Sequence, residues 1–355
     1  MSGQIYINGR FLTQPLTGVQ RYAHELLSAL DKLNPDVQLT CLAPPEDFPL
    51  PAWKNIELRV IGRSRANLWE QVDLPLWLKG EFLFSPSNIG PAFYKNQAVT
   101  FHDASVFAIP GAYSRMFKAK YRFVFRQLVK RARCILTDSI FSQKELASHL
   151  KCAPQRFEVV PLGGDHLQDI QPDEDILERH GLKDQPYILM VASRSPHKNT
   201  ARLLQALTGL KGEPKFALAG GSFNNVFQNE QTGQPPPNVI QLGYINDAEL
   251  KSLYENALGF IFPSYYEGFG LPILEALNCG CPVLSSRAAS LPEVGGETVL
   301  YFDPFSADDI REKLATFISD TRLRNELRQR GRLRAAQFTW EKTARLTLDL
   351  LLPLL

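Results

Sequence analysis

The sequence predicts an α/β protein with two doubly wound parallel sheets that face a central cleft. Its length of 355 residues suits two domains of ordinary size. Short apolar runs alternate with longer helical patterns along the whole chain, which indicates βαβ units. These runs are nearly continuous in apolar residues, as expected for strands that helices cover on both faces. Ligands of such sheets bind beyond the carboxyl ends of the strands, so we expect the site there.

The first domain is predicted to span residues 1–165. Its strands are indicated by the runs IYIN, EFLFSPS, AVTFHD, CILTDS and FEVVPLG, and its first helix by GVQRYAHELLSAL. A polar, turn-rich stretch over residues 167–185 indicates a linker. The alternation then restarts with YILMVAS, FALAGG, VIQLGY, GFIFPS, CPVLSS and VLYFDP. This second domain is predicted to span residues 166–337.

Two helices are predicted after residue 320. The arginines of the first one are expected to form a solvated face; they are Arg322, Arg324, Arg328, Arg330, Arg332 and Arg334. The second, within residues 338–355, is amphipathic and is expected to pack back on the first domain.

Composition excludes several classes of protein. Hydrophobic residues make up 44% of the chain and charged residues 21%, which is typical of a folded globular protein rather than a disordered one. The formal net charge of +2 gives no support for nucleic-acid binding. Five cysteines without metal-ligand spacing are expected to be reduced. Neither a signal peptide nor a membrane-spanning run is evident, so we expect a cytoplasmic protein.

The stretch FPSYYEGFGLPILEA places two carboxylates around a glycine-bracketed turn from strand to helix. The amides of Phe269, Gly270 and Leu271 lie at the predicted helix start, where they can bind phosphate. Glu267 and Glu275 can each accept two hydrogen bonds from neighbouring hydroxyls of a sugar. Alternatively, they are a helix-start charge and a surface residue.

This context, FPSYYEGFGLPILEALNCGCPVLSS, resembles the retaining GT-B glycosyltransferases, a large family with many bacterial mannosyl- and rhamnosyltransferases. The stretches VASRSPHKN, LGYINDAEL, SLPEVGGETVLYFDP and TGVQRYAHELL agree with it. The resemblance implies the GT-B fold, with two Rossmann-like domains. It also implies that Glu267 contacts hydroxyls of the donor sugar and that Glu275 contacts the ribose of the nucleotide.

Two cations follow the strand YILMVAS. Arg194 and Lys198 lie on the loop that enters the next helix, at the sheet edge where a diphosphate would bind. Charge grows on the departing nucleotide as the bond to the sugar breaks, so fixed cations there stabilise the transition state. The alternative is a solvent-exposed pair at a helix start.

In the first domain, Thr17 and Gly18 precede a helix, and glycine at such a turn lets phosphate approach the backbone. The family resemblance implies that Gly18 meets the donor phosphates, with Thr17 in support. It also implies that His102, at the end of the strand AVTFHD, lies near the donor sugar, as a base or only in positioning. Asp103 is expected to orient that histidine or to hold the loop.

Asp173, Glu174 and Asp175 form an acid-x-acid pattern that binds metal in other glycosyltransferases. Here they are better explained as charges at a helix start, so we expect chemistry without metal or cofactor. Residues 114–133 are basic and aromatic without any acid. They are expected either to be a solvated face or to contact an anionic membrane, at the inner face of the cell membrane.

The predicted function is transfer of a hexose from a nucleotide diphosphate sugar to a hydroxyl of a glycan or lipid-linked saccharide, with retention. Overall likeness to mannosyltransferases favours mannose from GDP-mannose. The alternatives are a sugar-nucleotide epimerase on the same fold and a non-catalytic subunit that binds sugar nucleotides.

Overall fold

The computed structural model describes residues 3–109, 111–192, 195–208, 214–220 and 236–355. The chain divides into two compact units. Unit 1 comprises Met1–Gly163 together with Trp340–Leu355, and unit 2 comprises Gly164–Thr339. The first division falls two residues before the boundary expected after residue 165, and the second falls two residues after the boundary expected after residue 337.

The described part of unit 1 contains a sheet of seven parallel strands in the order β3-β2-β1-β4-β5-β6-β7. The strand order reverses between β1 and β4, which makes this pair the topological switch point where ligands of open α/β sheets bind. The strands are β1 (Gln4–Asn8), β2 (Gln38–Ala43), β3 (Ile56–Val60), β4 (Leu83–Ser85), β5 (Gln97–Thr100), β6 (Cys134–Thr137) and β7 (Glu158–Val159).

Helices cover this sheet, and their bounds are α1 (Gly18–Leu33), α2 (Ala66–Leu68), α3 (Leu74–Leu78), α4 (Ser105–Ala108), α5 (Arg115–Arg131), α6 (Ile140–Leu150) and, from the end of the chain, α14 (Trp340–Leu351). A turn of π-helix over Trp69–Asp73 joins α2 to α3. The Leu74 N–H donates to Trp69 O, five residues back. Pro75 follows at once and has no N–H for the ordinary helical bond, which accounts for the irregular turn.

The described part of unit 2 contains a sheet of six parallel strands in the order β10-β9-β8-β11-β12-β13. Here the order reverses between β8 and β11, so the switch point of unit 2 lies beyond the ends of these two strands. The strands are β8 (Tyr187–Ala192), β9 (Lys215–Gly220), β10 (Val239–Gly243), β11 (Gly259–Phe262), β12 (Val283–Ser286) and β13 (Leu300–Phe302). The prediction of two parallel-sheet α/β domains is confirmed.

The helices of unit 2 are α7 (Asp175–Arg179), α8 (Thr200–Leu207), α9 (Asp247–Asn256), α10 (Leu271–Asn278), α11 (Leu291–Gly295), α12 (Ala307–Ser319) and α13 (Thr321–Ala335). The acids at 173–175 lie at the start of α7, where the Asp173 carboxylate accepts from the Asp175 N–H at 3.1 Å. This is the helix-start arrangement that the sequence favoured.

The expectation of a solvated arginine face on α13 is wrong in part. Arg324 is only 8% exposed, and its guanidinium donates to the carbonyl of Phe317 at 2.6 Å. Arg328 and Arg334 donate to carbonyls at the ends of neighbouring elements. Guanidinium groups satisfy these buried helix-end acceptors because each presents several donors in a fixed plane.

Within the described ranges, no helix is both long enough and apolar enough to cross a membrane. The same residues contain no group of three or more acidic, histidine or cysteine side chains placed to hold a metal ion.

Candidate active site

The loop between β11 and α10 is built for close approach of a ligand to its backbone. Gly270 has φ of 114°, a conformation that favours glycine, and a Cβ there would lie 2.7 Å from the Leu291 Cδ2 atom. No acceptor among the described residues is bonded to the amides of Phe269, Gly270 and Leu271. These amides lie at the start of α10, where the helix dipole favours an anion.

Serine hydroxyls from β12 and the start of α11 hold this loop in place. Ser290, which is fully buried, donates to the carbonyl of Glu267 at 3.0 Å and to that of Phe269 at 2.7 Å. Ser286 donates to the carbonyl of Ser264. Loop carbonyls that would otherwise be buried without donors are therefore satisfied, and the loop keeps one conformation.

The Lys198 ammonium donates to the Glu267 carboxylate at 2.8 Å. Their side chains are 18% and 14% exposed, and the ammonium also lies 5.2 Å from the centre of the Phe262 ring. Lys198 follows β8 and Glu267 follows β11, so the pair stands at the switch point of unit 2. The structure thus joins two residues that the sequence placed in separate roles. Arg194, the second predicted cation, lies outside the described residues.

Asn199 fixes the position of this lysine. Its side-chain amide donates to the carbonyls of Pro263 and Pro304 at 3.1 and 2.7 Å, which ties the turn Pro196–Lys198 to the ends of two strands. Asn199 adopts φ of 58°, a left-handed conformation that asparagine tolerates better than most residues. Asn199 was not predicted as a site residue, although an asparagine directly before a helix is a usable signal in a sequence.

Glu275 is buried inside unit 2 rather than placed on its surface. One carboxylate oxygen accepts from the Tyr254 hydroxyl at 3.2 Å, and the other lies 3.2 Å from His166 Nε2. The Glu275 side chain is 8% exposed and that of His166 is 2% exposed. Burial, followed by the charge of Glu275, raises the pKa of Tyr254 well above its usual value, so this phenol stays a donor. Sequence reasoning missed both partners because they are distant along the chain.

In unit 1, the His102 ring is enclosed. Nδ1 lies 2.8 Å from the Asp138 carboxylate and Nε2 lies 3.0 Å from the Pro86 carbonyl. Burial alone lowers the pKa of His102, but the Asp138 charge and the two acceptors outweigh burial and raise that pKa. Because both ring nitrogens face protein acceptors, neither is free to accept a proton in this arrangement. A direct catalytic role for His102 therefore stays a prediction.

The other residues predicted in unit 1 have simpler surroundings. Asp103 accepts from the Ser105 N–H at 2.7 Å and so holds the loop before α4, while Asp138 takes the orienting position beside the histidine. Thr17 precedes α1 and bonds to Gln20. At Gly18 a Cβ would meet no described atom within 4 Å, so local packing does not require glycine there.

Comparison with known proteins identifies the class. Residues 172–334 match the family described as "Glycosyl transferases group 1", and residues 16–166 match "Glycosyltransferase Family 4". The chain is 33% identical to O-antigen chain mannosyltransferase B of Escherichia coli over 73% of this chain and 72% of that protein. It is 30% identical to the serotype-specific mannosyltransferase WbdA of Escherichia coli over 54% of this chain but only 24% of that protein. The chain belongs to the group 1 glycosyltransferase family.

Solved structures agree on the fold. Sucrose-phosphate synthase from Thermosynechococcus elongatus matches with a TM-score of 0.79 at 20% identity, over 100% of this chain and 99% of that one. Anabaena HepE in complex with UDP-glucose matches with a TM-score of 0.73 at 16% identity, over 99% and 100%. The predicted GT-B fold is confirmed, and the protein is a glycosyltransferase.

Proposed function

We propose that this glycosyltransferase transfers a hexose from a nucleotide diphosphate sugar to a hydroxyl of a glycan or lipid-linked saccharide, with mannose from GDP-mannose as the donor. The observation that carries the proposal is the Lys198–Glu267 pair at the switch point of unit 2, beside backbone amides for which the described residues supply no acceptor. The relatives named as mannosyltransferases support the choice of sugar. HepE was solved with UDP-glucose, so the fold alone does not select the base.

The charged residues of the site indicate how the donor would bind. In the proposed complex, the diphosphate lies at the start of α10, and Lys198 balances the negative charge that develops as the nucleotide departs. Glu267, released from part of that ion pair, can accept hydrogen bonds from sugar hydroxyls. Glu275 is proposed to receive the ribose. Retention of configuration and independence from metal complete the proposal.

Nucleotide binding can be tested by thermal shift. A nucleoside diphosphate at 100 times its dissociation constant stabilises a protein by about 2.7 kcal/mol. We expect GDP to raise the melting temperature more than UDP or ADP, and Lys198→Ala to reduce that shift. Incubation with GDP-mannose and a mannose-bearing acceptor, with EDTA present, should release GDP and give an α-linked product by NMR. Absence of any shift with all three nucleotides would contradict the proposal.

We also propose that α5 contacts an anionic membrane surface. The helix carries Arg115, Lys118, Lys120, Arg122, Arg126, Lys130 and Arg131, and no acid. Met116 and Phe123 are 83% and 49% exposed on it, and the exposed Phe93 ring lies 6.1 Å from the Phe123 ring. Cations near an anionic bilayer contribute about 1 kcal/mol each, and exposed apolar side chains add burial.

Vesicle sedimentation distinguishes this contact from a merely solvated helix. We expect binding to anionic vesicles that weakens with salt and a further loss in a Met116→Ser/Phe123→Ser variant. Leu50→Ser, at an apolar residue outside α5 that is 81% exposed, serves as the control. Equal partitioning to neutral and anionic vesicles would count against the contact.

A further inference from the structure

A cavity of unit 2 lies at the carboxyl ends of β12 and β13, next to the strand pair β8 and β11 where the donor site stands. Its volume is about 470 Å³, within the range of about 300–1,000 Å³ in which proteins bind small molecules. Its walls come from the loop after β12, the loop after β13 and the first half of α12. Open α/β sheets bind ligands at this edge, and the proposed function leaves this part of the edge without a ligand.

Two aromatic rings line the cavity. Phe305 is 64% exposed, and its ring centre lies 5.8 Å from that of Tyr265 in the loop after β11. The Arg202 guanidinium lies 5.8 Å from the same ring. The second ring, that of Tyr301, is partly buried and lies 5.5 Å from the Arg287 guanidinium. Aromatic faces held by their neighbours and open to solvent are typical of sites for organic ligands.

The charged groups of the walls are balanced, with two cations and two carboxylates. Lys313 Nζ lies 4.0 Å from the Asp309 carboxylate, whose other oxygen accepts from the Asp303 N–H at 2.6 Å. Asp303 accepts from the Phe305 N–H at 2.8 Å through one oxygen, and no described donor reaches its second oxygen. The exposed Arg287 guanidinium forms no hydrogen bond or ion pair with another described residue. One donor group and one acceptor oxygen therefore remain for a ligand.

The loop after β12 holds this guanidinium in a fixed frame. The Arg287 N–H donates to the Phe302 carbonyl at 2.9 Å, which joins the ends of β12 and β13. Ser286 and Ser290 flank the segment and donate to carbonyls of the donor loop. Ala289 has φ of 55°, a left-handed conformation that alanine seldom adopts. Backbone strain of this kind clusters at sites that bind ligands.

We propose that this cavity binds a neutral saccharide. A hydroxyl group can accept from a guanidinium and donate to a carboxylate, so Arg287 and Asp303 together suit neighbouring hydroxyls of one sugar ring. Phe305 contacts the apolar face of that ring. An anion would be repelled by Asp303 and a cation by Arg287, so a neutral ligand fits the walls better than either. The site goes beyond the proposed function, and only the choice of mannose as its sugar rests on that function.

Calorimetry of the full chain tests the site with mannotriose as the probe, with and without GDP. Mannotriose should bind in both conditions. Arg287→Ala should weaken its binding about tenfold, because a charge-assisted hydrogen bond is lost, and Phe305→Ala should have a similar effect. Phe305→Trp keeps an aromatic face and should bind as well as the original chain. Arg330→Ala, at an arginine of α13 that is 50% exposed, is the control and should bind normally.

The variants should keep their melting temperatures, because the Arg287 and Phe305 side chains are exposed. Mannotriose binding that is unchanged in both alanine variants would place the sugar elsewhere and overturn the site. Absence of binding by mannotriose and also by maltotriose would overturn it as well. Binding of maltotriose alone, if weakened in both variants, would support the site and reject mannose as its sugar.

Arginine labelling with phenylglyoxal, followed by mass spectrometry, distinguishes a saccharide site from an anion site. Mannotriose should slow modification of Arg287 and leave that of Arg330 unchanged, and inorganic phosphate should protect neither. Protection of Arg287 by phosphate equal to that by mannotriose would overturn the assignment of a neutral ligand. Failure of GDP to bind would reject the donor proposal alone, because trisaccharide binding is also measured without GDP.

Discussion

Replacing Lys198 by alanine should damage both stability and turnover, and the two effects can be separated. The ammonium and the Glu267 carboxylate are 2.8 Å apart and mostly buried, so the variant leaves a carboxylate without its cation. A hydrogen bond to a charged group contributes about 1.5–3 kcal/mol. For a domain of this size, each kcal/mol shifts the melting temperature by about 2–4 °C, which gives a fall of about 3–12 °C. Loss of a preorganised charge should lower kcat about 10²- to 10³-fold.

The double variant Lys198→Ala/Glu267→Gln distinguishes a catalytic pair from a structural one. With both charges removed, no unpaired carboxylate remains. The free energy of unfolding should therefore return to within about 1 kcal/mol of its original value. Turnover should stay low, because the cation that faces the departing diphosphate is still missing. The assay is GDP release from GDP-mannose beside differential scanning fluorimetry. Lys183→Ala, which breaks an exposed pair with Glu178, should change neither quantity appreciably. Recovery of turnover in the double variant would refute the reasoning.

Three further substitutions test other parts of the site. Gly18→Ala should leave the melting temperature unchanged or slightly higher, because no described atom lies within 4 Å of the new methyl group. In calorimetry the same variant should bind the donor about tenfold more weakly if phosphate approaches the backbone at this position. Tyr254→Phe should destabilise by about 0.5–1.5 kcal/mol in urea titrations and weaken nucleotide binding, since the Glu275 carboxylate loses its donor. Asp138→Asn should flatten the dependence of stability on pH. The raised pKa of His102 contributes stability that is fully present below its unfolded pKa of about 6.5 and is lost as the pH rises through its folded pKa. The slope of this loss is at most about 1.4 kcal/mol per pH unit. A slope that survives in this variant would show that another group titrates.

The fold was predictable from the sequence because its signal is local. Continuous apolar runs such as YILMVA and GFIF form parallel strands, and the glycine at 270 becomes the left-handed residue before a helix. Each of these features depends on a few consecutive residues. The same holds for Glu267 and Lys198, which follow strands whose carboxyl ends meet at one sheet edge.

The partners of these residues were not predictable in the same way. Glu275 bonds Tyr254 on another helix, and Asn199 bonds carbonyls of Pro263 and Pro304, between 64 and 105 residues away. A sequence does not show which backbone carbonyls need a side-chain donor, since every residue has a backbone carbonyl. His102 shows the converse limit: its position at a strand end was visible, but the two acceptors that occupy its ring nitrogens were not.

Glu267 in the loop and Glu275 in α10 differ in whether a ligand can change the partners of their carboxylates. The Glu275 carboxylate sits in a buried setting with a hydroxyl donor and an imidazole nitrogen 3.2 Å away, so moving it would leave buried polar groups unsatisfied. Glu267 has one mobile partner, because the Lys198 ammonium is carried by a flexible chain that can turn toward a phosphate without disturbing the backbone. An anion at the start of α10 would attract the Lys198 ammonium away from the Glu267 carboxylate. That carboxylate could then accept hydrogen bonds from sugar hydroxyls. Binding of phosphate and binding of sugar should therefore reinforce one another, so GDP-mannose should bind more tightly than GDP, and this preference should vanish in Glu267→Gln.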